Sequence, residues 1–131
     1  MKLLRNAFQT PDGTIMISRS RHDYREYKDD NGKRYMIDGG LAYSRRSAHE
    51  DQVDMCVWSD DDFSLIREGF SWGSYGKLGD QPLTYVKLKD MSNAHVEACL
   101  ETQKNMASQI REAMEKELQY REVHKVVVNE D

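Results

Sequence analysis

One change of hydrophobic period divides this chain and limits the folds open to it. From Ser92 onward, Val96, Cys99, Leu100, Gln103, Ala107, Ile110, Met114 and Leu118 recur at steps of three or four. That is the spacing of an amphipathic helix, here with Glu, Lys and Gln on its outer side. Before Ser92 the pattern is mainly one of short apolar runs separated by turn residues, as in strands and hairpins. Thr10-Pro11-Asp12-Gly13 separates Leu3 to Gln9 from Thr14 to Ser18, and proline followed by Asp-Gly sets a turn. Asp29-Asp30-Asn31-Gly32-Lys33 separates His22 to Tyr27 from Arg34 to Asp38, with Asn-Gly as a type I′ signal. Alternation puts Tyr35 and Ile37 on one face of the return strand and Met36 on the other.

Leu41 to Gln52 is polar and reads as loop or a short helix. Val53 to Trp58 reads as a strand. Ser59 is the expected N-cap of a short helix whose first turn holds Asp60, Asp61 and Asp62, where carboxylates suit the dipole. Phe63, Leu65 and Ile66 should face inward and Gly69 should end it. Phe70 to Tyr75 and Leu83 to Leu88 then form a strand pair around a glycine-rich loop. The expected fold class is α+β, one domain over residues 1–131: mainly antiparallel β-hairpins with one short helix in 1–90, helical in 91–122. Residues 123–131 are a tail, an extra strand or a frayed end. The helical segment is one helix or two, since no Gly or Pro breaks it and Asn105 is its weakest interior point. A continuous helix of about 28 residues is about 42 Å long, more than the chain's own sheet can cover. Gln109 to Arg121 should then pair with another copy, giving a homo-oligomer.

A length of 131 residues suits one core. The net charge of -4 argues against a protein that coats DNA or RNA, because counterion release needs a basic surface. Any nucleotide bound should be small and held in a local pocket. Cys56 and Cys99 stand far apart in apolar settings and read as buried free thiols. No apolar run reaches the length of a bilayer span and no secretory h-region opens the chain, so a cytosolic protein is expected. His22, His49, His95 and His124 lack zinc-site spacing, so no metal is expected. Asp60-Asp61-Asp62 reads as a solvated helix start, and Asp29-Asp30-Asn31-Gly32 lacks the later glutamate of a calcium loop. With no Gly-x-Ser-x-Gly, no Walker sequence and no Cys beside a local His, neither catalysis nor a cofactor is expected.

Binding residues are easier to find. Phe70-Ser71-Trp72-Gly73-Ser74-Tyr75-Gly76-Lys77-Leu78-Gly79-Asp80 combines aromatics, glycines and a lysine. Glycines allow close backbone approach, rings offer stacking faces, and a cation answers phosphate. A hairpin with its aromatics in the core explains the same residues. Arg19, Arg21 and Arg25 alternate, so in a strand they share one face, either a solvated face or an anion site. Arg45-Arg46, beside Gly39-Gly40 and Tyr43, supplies planar forks that match phosphate oxygens.

Ser20-Arg21-His22-Asp23-Tyr24, Ile37-Asp38-Gly39-Gly40-Leu41 and Tyr43-Ser44-Arg45-Arg46 resemble a widespread family of small bacteriophage proteins. Trp72-Gly73-Ser74-Tyr75-Gly76-Lys77, Gly79-Asp80-Gln81-Pro82-Leu83, Leu88-Lys89-Asp90-Met91, His95 and Leu100 continue the resemblance across residues 5–103. Some relatives carry Cys-x-x-Cys where this chain has Thr10-Pro11-Asp12-Gly13. Within that family the chain is most similar to the first Thoeris anti-defence type, the phage signalling sponges. The resemblance implies sequestration, without cleavage, of a cyclic ADP-ribose isomer made by TIR-domain enzymes, with cyclic oligonucleotides bound at separate sites of a hexamer. It also implies work in the cytoplasm of the infected host. Arg45 and Phe70 best match its phosphate and base contacts. The full candidate set is Arg21, Arg45, Arg46 and Lys77 for phosphate, with Phe70, Trp72, Tyr24 and Asp80 for base and ribose. Asp80 stands where an uncharged hydrogen-bonding residue is expected, and an acid beside pyrophosphate needs an arginine partner. Two rival functions are an enzyme degrading the same signal, with His22 and His95 as acid and base, and a module that binds a host protein through the long helix.

Overall fold

The structure is a computed structural model that describes residues 1–76 and 78–129. Among the described residues it is mixed α+β, with antiparallel sheets and three α-helices. The chain forms two compact units, Met1 with Leu3–Trp58 and Lys2 with Ser59–Asp131. The boundary between them falls at Trp58, well before the change of period at Ser92.

In the first unit β1 (Leu3–Gln9) pairs with β2 (Ile15–Ser18) around the Pro-Asp-Gly turn, Asn6 opposite Ser18 and Gln9 opposite Ile15. A second sheet runs β3 (Arg25–Lys28), β4 (Arg34–Asp38) and β5 (Arg45–Arg46). Phe8 and Met16 from the first sheet and Tyr35 and Ile37 from the second form the core, with Tyr27 packed against it. Tyr35 and Ile37 are buried and Met36 is half-buried, as alternation requires.

Several expectations in this unit need correction, among them the stretch Leu41 to Gln52, which holds no helix and carries the two-residue strand β5. The run Val53 to Trp58 is two short strands, β6 (Val53–Asp54) and β7 (Val57–Trp58), both paired with β1. Side chains interrupt the ladder between them: the Asp54 carboxylate accepts the Cys56 N–H at 2.9 Å, and the Arg5 guanidinium donates to the Met55 carbonyl at 2.8 Å. Residues 19–24 are a turn, so Arg19, Arg21 and Arg25 do not share a strand face. Asp23 bends the chain by accepting the Arg19 N–H at 2.8 Å, an aspartate-backbone bond that competes with a ladder. At Asn31-Gly32 only the glycine has a positive φ, +82°. Asp29 accepts the N–H groups of Asn31 and Lys33 and holds a wider loop than a type I′ turn.

In the second unit α1 (Phe63–Gly69) is capped by Asp62, whose carboxylate accepts the Ser64 N–H, so the start lies three residues beyond Ser59. Ile66 faces inward and Leu65 outward, contrary to the expectation for Leu65. β8 (Ser71–Ser74) and β9 (Thr84–Lys87) form a hairpin, and a 3₁₀ turn follows at Leu88–Asp90. The helical segment is two helices, α2 (Asn93–Thr102) and α3 (Ser108–His124). The break has a donor behind it. Arg111 on α3 gives hydrogen bonds to the carbonyls of Leu100 (2.9 Å) and Gln103 (2.8 Å) at the end of α2, groups a helix terminus leaves unpaired. Ala113, Met114, Glu117 and Arg121 on α3 are buried inside the unit, so the reason for an external helix partner falls. The core also holds Ile66, Phe70, Leu88, Met91, Val96 and Cys99. Burial pushes the Cys99 thiol up. The tail is neither strand nor frayed through Val128: Asn93 donates its N–H to the Val128 carbonyl at 2.8 Å and accepts the Val128 N–H at 3.0 Å. Among the described residues no helix is long and apolar enough to cross a membrane.

Candidate functional site

Strand β4 ends at Asp38, and the next two residues decide what meets it. Gly39 and Gly40 have φ of +90° and +51°. A Cβ on Gly39 would lie 1.7 Å from the Tyr43 carbonyl oxygen, and one on Gly40 would lie 2.6 Å from the Ser20 backbone. Only glycine permits both approaches. The backbone then folds back, with Ala42 and Tyr43 donating to the Gly39 carbonyl. Two buried polar residues tie this turn to its neighbours. Ser18 accepts the Gly40 N–H at 2.8 Å and donates to the Asp23 carbonyl at 2.7 Å. Asn6 donates to the Asp38 carbonyl at 3.0 Å and accepts the Ser44 hydroxyl at 3.2 Å. The three segments 20–24, 37–41 and 43–46 therefore converge at one end of the second sheet.

The side chains on this frame centre on Asp38. Arg45 lies opposite Asp38 in the β4–β5 register and donates Nη2 to Oδ2 at 3.1 Å. Tyr43 donates its hydroxyl to the same oxygen at 3.3 Å. The Asp38 side chain is 8% exposed and that of Arg45 is 64% exposed, so the carboxylate is a buried anchor for an open guanidinium. Tyr24 is exposed and donates to Glu26 at 2.9 Å, a bond that raises its hydroxyl pKa, and it lies within electrostatic reach of Arg45 and Asp38. Glu26 pairs with Arg34 at 3.3 Å. Arg21 is exposed on the adjoining turn.

Strand alternation separates Arg46 from Arg45. Arg46 turns to the other face, where Nη1 donates to the Cys56 sulfur at 3.0 Å and to Asp54 at 3.3 Å. There it borders a polar cleft of about 440 Å³ with Ser44, Ser47, His49 and Gln52. Cys56 is half-buried rather than buried, and burial raises its thiol pKa.

The remaining candidates belong to the second unit. Phe70, 3% exposed, is a core residue, so its ring does not offer a stacking face. Its backbone shows why it is held there: its N–H bonds the Ile66 carbonyl and its carbonyl accepts the Leu88 N–H, both at 2.9 Å. Trp72 lies in β8 opposite Val86 and is half-buried. Asp80 is exposed, and its carboxylate accepts the Gln81 amide at 3.3 Å. Lys77 lies outside the described residues. The glycine-rich loop does line a cavity, through Gly76 rather than Phe70. A groove of about 790 Å³ runs between Ser74, Gly76, Gln81 and Val86 on one side and Met91 and His95 on the other. Asp90 is the one formally charged residue of its described lining. Asp38, Tyr43, Asn6 and Ser18 escaped the sequence reading as site residues. The Asp-Gly-Gly-x-x-Tyr spacing was the available signal for the first two. Nothing local marks Asn6 or Ser18.

Among the described residues no three of His, Cys, Asp and Glu are placed to hold a metal ion. Comparison with protein-family models, curated proteins and solved structures finds no match for the chain.

Proposed function

We propose that this chain is a binding protein that captures a small cyclic nucleotide signal and holds it without cleaving it, as its resemblance to the phage signalling sponges implies. One observation carries the reading: an open guanidinium, Arg45, shares the buried Asp38 carboxylate with the exposed Tyr43, and the exposed Tyr24 lies within electrostatic reach of both charges. Arginine matches phosphate oxygens, tyrosine faces accept a base, and an anchored side chain loses little further entropy on binding. Arg21 on the adjoining turn adds a second cation, and Arg46 serves the polar cleft on the opposite face. The ligand class is a cyclic ADP-ribose isomer, with cyclic oligonucleotides as the second class. A sponge needs slow release rather than chemistry. The same reading includes assembly into a dimer or hexamer, which sedimentation velocity measures, and action in the cytoplasm of an infected host.

Calorimetry with a panel of cyclic nucleotides, followed by recovery of the ligand after heat denaturation, tests this function. The expected result is binding with intact ligand returned. Hydrolysed product would make the protein an enzyme, and no heat across the panel overturns the reading. Arg45→Ala should cost about 1–3 kcal/mol of binding and, by leaving the buried Asp38 carboxylate to Tyr43, should lower the melting temperature as well. Phe70→Ala cannot serve as a binding probe, since it opens a core cavity.

A further inference from the structure

Two strands of the first unit have no neighbour on their outer side. Strand β2 ends one sheet and β3 ends the other, and a groove of about 460 Å³ lies between them, with Ile15, Ile17, Arg25 and Glu26 along its sides. Met16 and Tyr27 also line it and reach the core beneath. The Thr10 N–H bonds the Thr14 carbonyl, so alternation along the β1–β2 register turns the backbone groups of Met16 and Ser18 toward β1 and those of Ile15 and Ile17 outward. No described residue bonds those outward groups. An edge of this kind is commonly guarded by charge, and β3, Arg-Glu-Tyr-Lys, is guarded. Strand β2, Ile-Met-Ile-Ser, is not, and Ile15 is 44% exposed.

We infer that the β2 edge is a docking site for an extended peptide with acidic flanks, which adds as a further strand beside Ile15 and Ile17 and lies in the groove with β3 as its far wall. Main-chain hydrogen bonds supply the attraction in this mode and side chains the selectivity. Ile15 and Ile17 favour apolar residues at alternate positions of the peptide. The charged lining residues are Arg19, Arg25 and Glu26. Arg25 is paired with Asp23 and Glu26 with Arg34, and the adjoining Lys28 has no ion pair among the described residues. The rim therefore suits acidic rather than basic flanks. That preference is small, about two- to fivefold, as for exposed ion pairs. Peptide docking here goes beyond the nucleotide site and does not depend on it.

Titration of the full chain with acetyl-Asp-Val-Thr-Val-Thr-Val-Asp-amide, followed by amide NMR, tests it. At saturation, amide exchange at Ile15 and Ile17 should slow by about tenfold or more. Alternate residues of a strand direct their N–H groups to opposite edges, so N-methylation of the Val residues blocks one edge of the peptide and N-methylation of the Thr residues the other. One methylated isomer should lose about tenfold or more in affinity and the other about threefold at most. Equal loss from both, or loss from neither, overturns the inference, as does the absence of binding at millimolar peptide. Ile17→Pro removes an outward N–H and no ladder bond, so it should weaken the peptide by about five- to tenfold. Unchanged affinity in the folded variant overturns the inference, and the methylated pair decides the matter if the variant does not fold. Replacing both Asp residues of the peptide by Lys should weaken binding by about two- to fivefold, and equal or tighter binding refutes the acidic partner. Slowed exchange at Ile15 and Ile17 that rises with protein concentration in the absence of peptide would put a second copy on this edge and refute the peptide.

Discussion

Glu117 is wholly buried between two guanidinium groups. Arg67 donates Nε to Oε1 at 2.5 Å and Nη2 to Oε2 at 3.0 Å, and Arg121 donates Nε to Oε2 at 2.6 Å. Arg121, itself 1% exposed, spends its other donors on Asn93 Oδ1 at 2.9 Å and the Leu88 carbonyl at 3.0 Å. Arg67 also stacks on the Tyr120 ring, 4.0 Å from its centroid. Charges this far from water are tolerable only when every one is paired. Removing the shared carboxylate strands two cations, so Glu117→Ala should lose about 3–5 kcal/mol of stability. Urea unfolding measures it as a lower midpoint at unchanged slope, and a loss below about 1 kcal/mol would show that the triad is not the joint described. Glu117 and Arg121 are visible in the sequence as an i, i+4 pair. Their residue types place them on the solvated side of the stripe. Only the approach of Arg67 from α1 makes that side interior.

At the scale of elements, the turn between β1 and β2 is the most legible feature, because its chemistry lies within four residues. Thr10-Pro11-Asp12-Gly13 sits between β1 and β2 as its composition requires. The break between α2 and α3 was not legible. Its local sequence contains no Gly or Pro, and the group that ends α2 is Arg111, eleven residues beyond Leu100. Arg111→Ala should therefore release the last turn of α2. Amide hydrogen exchange at Cys99 to Gln103 should speed by about five- to tenfold, corresponding to about 1 kcal/mol of lost hydrogen bonding. Unchanged exchange there would mean that α2 ends for another reason. The β8–β9 hairpin is the strand pair its sequence predicts, yet Phe70 at its base belongs to the core. An aromatic beside a glycine-rich loop looks the same in sequence whether it faces a ligand or its own domain.

Over the whole molecule, acid sensitivity follows from carboxylates that the fold holds ionised. Asp12 is held well below the usual carboxylate range by the Thr10 hydroxyl first, then by Tyr27 and Thr14. Lys33 lowers Asp51, the Ser64 N–H lowers Asp62 and Lys89 lowers Glu68. A carboxyl whose folded pKa lies below its unfolded value stabilises the fold above the unfolded value, and that contribution fades as pH falls toward the folded one. The melting temperature should stay level from pH 7 to about 5 and drop below about 4. Acidification also relieves the repulsion within a chain of net charge -4, a weaker and screened effect of opposite sign. Asp12→Asn should lower the melting temperature at pH 7 and flatten its acid decline. A melting temperature that rises on acidification would contradict the account.

Local chemistry alone placed the Pro-Asp-Gly turn, the strand faces of Tyr35 and Ile37, the short helix before Gly69 and the glycine-rich hairpin, because each depends on neighbours within a few residues. It also marks Arg45, Tyr24 and the Gly39-Gly40 pair as candidates. Tertiary structure decided the rest. It set Arg45 and Arg46 on opposite faces, since adjacent residues of a strand must diverge. It buried Phe70 and Glu117, ended α2 with a distant arginine, and gave Asp38 two partners that make it an anchor. These outcomes depend on groups far apart along the chain, whose meeting no local pattern records.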